Sequence, residues 1–142
     1  MACPAKFWME NVVPDAAEHG KNILIRLYKE DPAALGFFPK YKDIPVSELG
    51  SNADVKEQGA VVVKALGELL KLKGQHESQL HAMAESHKNT YKIPVEYFPK
   101  IFKITDAYLQ EKVGAAYAAI QAAMNVAFDQ IADGLKTQYQ TV

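Results

Sequence analysis

Four histidines (His19, His76, His81 and His87) and one cysteine (Cys3) are the side chains of this 142-residue chain best suited to hold a metal or attack a substrate. The spacings that usually organise such residues are absent: there is no HExxH, no CxxC, no GxSxG elbow and no glycine-rich phosphate loop. The carboxylates are spread along helix faces and read as solvated charge. Cys3 lies at a terminus, where a frayed backbone does not position a nucleophile. His76 falls in a polar turn and is expected to be exposed. His19 and His81 sit toward helix ends and are expected to face solvent or to bond between helices. His87 differs in its neighbours, because Met83 stands one turn earlier and Leu80 a further turn back on the same face. Ser86, just before it, can accept a hydrogen bond from a ring nitrogen and so fix the tautomer, as a ligating imidazole requires. One protein ligand is too few for zinc or calcium. A single axial imidazole is enough where a porphyrin supplies four nitrogens, and that chemistry needs an apolar pocket with a polar group opposite.

Helices must position these side chains, since three- and four-residue apolar spacing dominates and alternation with turn signals is absent. Pro4 can start a first helix carrying Phe7, Trp8 and Val12, which Pro14 breaks because proline lacks the donor and clashes one turn back. A second helix is expected from about Ala16 to Lys29, with Ile23, Leu24, Leu27 and Tyr28 on its apolar side. Gly20 in its interior costs about 1 kcal/mol against alanine, which points to another backbone passing close by. Asp31 and Pro32 read as the N-cap and first position of a short helix through Leu35. GFFPKY, residues 36–41, is an aromatic corner where Pro39 stops any helix, and Ile44 to Ser47 is a polar connection with room for one more turn.

A long helix follows from about Asn52 or Asp54 to Leu72, with Val55, Val62, Leu66, Leu69 and Leu70 at helical spacing and Gly74 closing it. The helix bearing His87 runs from about Glu77 to Lys88. Pro94 opens the next, which carries Phe98, Ile101, Phe102, Ile104, Tyr108 and Leu109; Pro99 falls within its first turns, where a missing donor matters least. Gly114 marks a break. The last helix, from about Ala116 to Tyr139, has a stripe of Ile120, Met124, Ala127, Phe128, Ile131 and Leu135. With no repeat or linker, this is one all-α domain of six main helices over residues 1–142.

Composition narrows the function. A net charge of −1 without a basic block speaks against a nucleic-acid groove or an anionic membrane surface. No run reaches the roughly 18 apolar residues of a membrane span. A lone cysteine forbids an intramolecular disulfide, and MACPAKFWMENVV lacks the basic start and apolar core of a signal peptide. A cytoplasmic protein is expected.

Five stretches carry a resemblance that spans about Gly20 to Tyr139: HGKNILIRLYKEDP, FFPKY, QGAVVVKALGELLKLKG, AESHKNTYKIP and AMNVAFDQIADGLKTQY. Together they resemble the globin family, and within it the vertebrate myoglobins; GELLKLKG and the KIP turn are closest to the fish members. The resemblance implies the globin fold, a three-over-three helical sandwich around one b-type haem that binds oxygen reversibly, along with carbon monoxide and nitric oxide. It implies a monomer of the cytoplasm, or of the sarcoplasm in muscle. Carried over by position, it makes His87 the proximal ligand of haem iron. It sets Phe38 against the porphyrin, and Val62 and Leu24 in the distal pocket. Met83, Ile93, Phe98 and Ile101 match haem-packing positions on the proximal side. Ser86, Tyr91 and Lys40 match positions that contact a propionate or steady the proximal imidazole, and Gly20 and Gly59 match small residues at a close helix crossing. An apolar pocket of this kind keeps water and protons from ferrous haem and slows its oxidation.

Three departures from the family pattern stand out. Most globins carry histidine at the distal position; here it is Gln58, in KEQGAVVV. Glutamine still offers an amide donor, worth roughly 1 kcal/mol net in a neutral hydrogen bond. It is a poor iron ligand, so five-coordinate deoxy haem is expected. Tyr91 replaces a common histidine, and Trp8 registers with the family tryptophan only after a one-residue shift. The alternative reading is an enzyme of the same pocket, acting as a nitrite reductase, peroxidase or nitric oxide dioxygenase. A neutral amide shuttles protons poorly, which favours storage. A helical interaction protein without cofactor is the third reading, and an absent Soret band would establish it.

Overall fold

Local chemistry sets where the helices begin. In α1 (Pro4–Asn11) proline occupies the first position, where its missing donor is no loss. In α3 (Ala53–Lys71) the Asn52 side chain accepts from the backbone N–H of Asp54 at 2.9 Å and of Val55 at 3.1 Å, the cap that its sequence position suggested. Asp31 behaves differently. It precedes a 3₁₀ segment (Pro32–Phe37) but makes no side-chain cap to it; its carboxylate instead accepts from Tyr97 at 2.7 Å and Lys100 at 2.9 Å. A charge-assisted bond across elements outcompetes the local one.

The computed structural model describes residues 3–142, so the first two residues of the expected domain lie outside it. Besides α1 and α3 it contains α2 (Ala16–Glu30), α4 (Glu77–Glu85), α5 (Tyr97–Val113), α6 (Ala115–Ala118) and α7 (Gln121–Tyr139), with short 3₁₀ segments at Val13–Asp15 and Val46–Ser51. All regular structure among the described residues is helical, and no helix there is long and apolar enough to cross a membrane. The expected last helix is divided: α6 ends at Ala118 and α7 starts at Gln121, with the Ile120 N–H bonded to the Tyr117 carbonyl at the joint. The expected helix to Lys88 is divided as well. Its α-helical part stops at Glu85, and Ser86–Thr90 form a π-helical turn, closed by Tyr91 N–H to Ser86 C=O at 3.0 Å.

α2 crosses α3 more closely than any other pair meets, and it also packs on α5. A Cβ built on Gly20 would collide with the carbonyl of Gly59, and one built on Gly59 would strike the backbone of Gly20 and Lys21. The helices approach to backbone contact, which is why a residue poor for helices stands inside α2. α7 packs on α4, α5 and α1. Phe128 of α7 stacks on Phe102 of α5 at 4.8 Å and meets Trp8 of α1 edge-on at 6.3 Å. Trp8 is fully buried and donates its indole N–H to the Val63 carbonyl at 2.8 Å, so α1 is tied to α3 as well. Side chains of this size contribute about 1.5–3 kcal/mol each on burial.

Candidate functional site

Between α2, the first half of α3, the end of α4 and the start of α5 lies a cavity of about 320 Å³. The stripe Gln58, Val61, Val62 and Ala65 forms one wall, because those positions share a helix face. Val62 was placed among the apolar positions of this helix and, by resemblance, in the distal pocket. The core position is Val63, which is fully buried, whereas Val62 is half-buried and faces the cavity. Leu24 comes from α2 and Phe38 from the aromatic corner. Met83, Ser86 and His87 come from α4 and the π turn, Tyr91 and Ile93 from the loop beyond it, and Phe98 and Ile101 from α5. Eleven of the twelve site residues expected from the sequence therefore share one cavity; Lys40 is exposed and does not line it. Leu66, Tyr97 and Phe102 also line the cavity and were not foreseen as part of it. Spacing could have found two of them, since Leu66 follows Val62 and Phe102 follows Phe98 by one helical turn.

His87 is half-buried, with the Phe98 ring 5.1 Å and the Tyr91 ring 5.8 Å from its own, centroid to centroid. Its Nδ1 lies 2.8 Å from the carbonyl of Met83. A carbonyl only accepts, so Nδ1 carries the hydrogen and Nε2 keeps its lone pair. Ser86 was expected to receive that hydrogen. Its Oγ is 3.3 Å from Nδ1, and it donates to the same Met83 carbonyl at 3.1 Å, so the backbone is the nearer acceptor and the serine a companion. Burial pushes the His87 pKa below its ordinary value, against the Met83 carbonyl, which favours the charged form. The ring is thus held neutral. Nε2 has no hydrogen-bond partner among the described residues. The π turn matters here because widened turns of this kind offset a side chain from the regular helical register, and they recur at functional sites.

Among the described residues no group of three His, Cys, Asp or Glu is placed to hold a bare metal ion. A neutral imidazole with a free Nε2, facing an apolar cavity, fits instead a metal whose other ligands come from a macrocycle. The opposite wall offers Gln58, half-buried, as its amide. Tyr139 steadies the loop after His87 by donating to the Ile93 carbonyl at 2.8 Å.

The globin family model matches residues 21–135. The chain belongs to the globin family. It is similar to the myoglobin of Sarda chiliensis, 42% identical over 135 residues that cover 95% of this chain and 90% of that one. It is equally similar to the myoglobin of Tetraodon nigroviridis, 42% identical over 128 residues, or 90% and 87% of the two chains. The myoglobin of Heterodontus portusjacksoni is 37% identical over 134 residues, or 91% and 87%. In this globin the matched region begins just after Gly20 and takes in every cavity residue named above. α1 precedes the residues that the family model matches.

Proposed function

We propose that this globin holds haem b in the 320 Å³ cavity and binds oxygen reversibly, for storage and facilitated diffusion. The observation that carries the reading is the His87 ring, with Nδ1–H anchored on the Met83 carbonyl and Nε2 unpartnered. When bound, the haem supplies a ferrous iron that takes up dioxygen, carbon monoxide or nitric oxide. His87 would be its protein ligand. The Met83 carbonyl fixes the tautomer and raises the basicity of Nε2. Phe38, Phe98 and Ile101 give the macrocycle apolar surface, and Tyr91 stands half-exposed at the rim. Leu24 and Val62 keep water and its protons from the distal space, and Gln58 donates an amide hydrogen bond to the gas. The resemblance to myoglobins supports the same reading.

Redox turnover of peroxide, nitrite or nitric oxide would use the same cavity. The distal residues Gln58, Leu24, Val61 and Val62 include no group that titrates, so they offer no proton relay of the kind that such turnover requires. Haem titration of the protein tests the proposal. One equivalent should produce a Soret band and a five-coordinate deoxy spectrum, with an oxygenated form that reverts under vacuum. His87→Gly should lose the protein–iron bond, which free imidazole then restores. A folded protein with no Soret band, or a six-coordinate low-spin deoxy form, would overturn the proposal.

A further inference from the structure

Two walls of the cavity meet where Phe37 faces Tyr97. Leu27 of α2, with Ala34 and Phe37 of the 3₁₀ segment Pro32–Phe37, belongs to one wall; Tyr97 and Ile101 of α5 belong to the other. The Phe37 and Tyr97 rings meet edge-on at 5.2 Å. Beyond this contact the Tyr97 hydroxyl donates to an Asp31 carboxylate oxygen at 2.7 Å, and Lys100 donates to the same oxygen at 2.9 Å. The Lys100 ammonium also stands over the Tyr97 ring, 5.0 Å from its centroid. Asp31 and Lys100 do not line the cavity, so Tyr97 joins the two groups, with its ring on the cavity and its hydroxyl on the carboxylate.

The chain holds Asp31 firmly for this role. Its N–H closes α2 on the Leu27 carbonyl at 2.8 Å, and the Pro32 that follows restricts its backbone. Tyr97 and Lys100 are one turn apart on α5, so both donors rise from one helix face. An isolated exposed ion pair contributes little. Here the Asp31 side chain is only 21% exposed, and a phenol and an ammonium converge on one oxygen, which makes a network of charge-assisted bonds. The other polar ties between α2 and α5 among the described residues are His19 and Asn22 to Tyr108, and Arg26 to Glu111. None of those residues lines the cavity. Only the Asp31 group ties helix ends that form its walls.

We propose, on the haem reading above, that Asp31 is a positioning residue for the cofactor. Its bonds to Tyr97 and Lys100 latch the end of α2 to the start of α5 and set how fast a bound macrocycle escapes. A large ligand leaves a helical cavity only when the walls part by local opening. The latch makes that opening rarer without touching the iron or the gas.

Ferric haem-loaded protein mixed with excess serum albumin, as haem acceptor, gives the escape rate from the change in the Soret band. Asp31→Ala and Tyr97→Phe should each quicken escape several-fold. The double variant should be little faster than the faster single one, because both remove the same interaction. Lys100→Met should quicken it less, since the Tyr97 bond remains. Arg26→Met breaks the tie at the far end of the helices and should leave the rate at the wild-type value, which separates a latch from a general cross-link between α2 and α5. In the haem-free chain, release of the apolar dye 1-anilinonaphthalene-8-sulfonate, read by fluorescence, should also quicken in Asp31→Ala. Unchanged release in Asp31→Ala, equal acceleration in Arg26→Met, or additive effects in the double variant would overturn the proposal. A chain that takes up no haem would overturn the function proposed above, and dye release would still decide for or against the latch.

Discussion

At the scale of the residue, the two sides of the main cavity are built on opposite principles. On the proximal side His87 is fixed by a backbone acceptor 2.8 Å away and kept neutral by burial. On the distal side Gln58 has no protonation state to change, so the hydrogen bond proposed for it would persist across pH. Replacing it with leucine should speed oxygen release roughly fivefold, the rate equivalent of a bond worth about 1 kcal/mol. Stopped-flow oxygen dissociation measures this, and an unchanged rate removes Gln58 from the mechanism. His76 makes a prediction of its own. Burial holds its folded pKa below the ordinary 6.5, so as pH falls the unfolded chain binds this proton first. Its neutral burial therefore favours the fold fully above about pH 6.5, and that advantage is lost as the pH falls from there toward the lower folded value. Between about pH 7.5 and about pH 5.5 the urea midpoint of the haem-loaded wild type should fall more than that of His76→Phe; equal falls would show that His76 is not neutral in the fold. His87 was legible in the sequence through its neighbours, and the role proposed for it came from the resemblance. His76 was not, because a polar turn looks exposed until other elements close over it.

At the scale of the element, helix identity was legible and helix continuity was not. Apolar spacing marked every main helix, yet α6 parts from α7 at Ala119–Ile120 and the π turn begins at Ser86. Such breaks depend on what packs against the helix, and period alone does not record it. The same holds for Val62 and Val63, adjacent residues of one type that a rotation of about 100° along α3 sends to the cavity and to the core respectively. Gly20 is the opposite case, a local misfit that announced a tertiary contact in advance. Since its Cβ would meet the Gly59 backbone rather than a flexible side chain, Gly20→Ala should destabilise the protein by about 3 kcal/mol or more, at the upper end of overpacking costs. Chemical denaturation reads the change directly. A loss below about 1 kcal/mol would mean that α2 and α3 can part to admit a methyl group.

At the scale of the molecule, the fold encloses more space than its own side chains fill. The main cavity is lined by apolar groups that gain contacts only when something occupies it. Haem that binds the native state alone should stabilise it by an amount that grows with the logarithm of the free ligand concentration. Thermal unfolding should therefore shift upward on haem addition, and less so in His87→Gly; equal midpoints with and without haem would place haem outside the native cavity. The sequence by itself determined the all-α class, the family, His87 and the cavity residues that share a helical turn with it or match its pattern. Only the tertiary structure decided that the Met83 carbonyl rather than Ser86 is the nearer anchor of the imidazole, that Lys40 stands apart from the cavity, and that His76 is buried. The physical reason is range. Helical period and capping act within a few residues and are written locally, whereas burial and hydrogen-bond choice depend on segments tens of residues away.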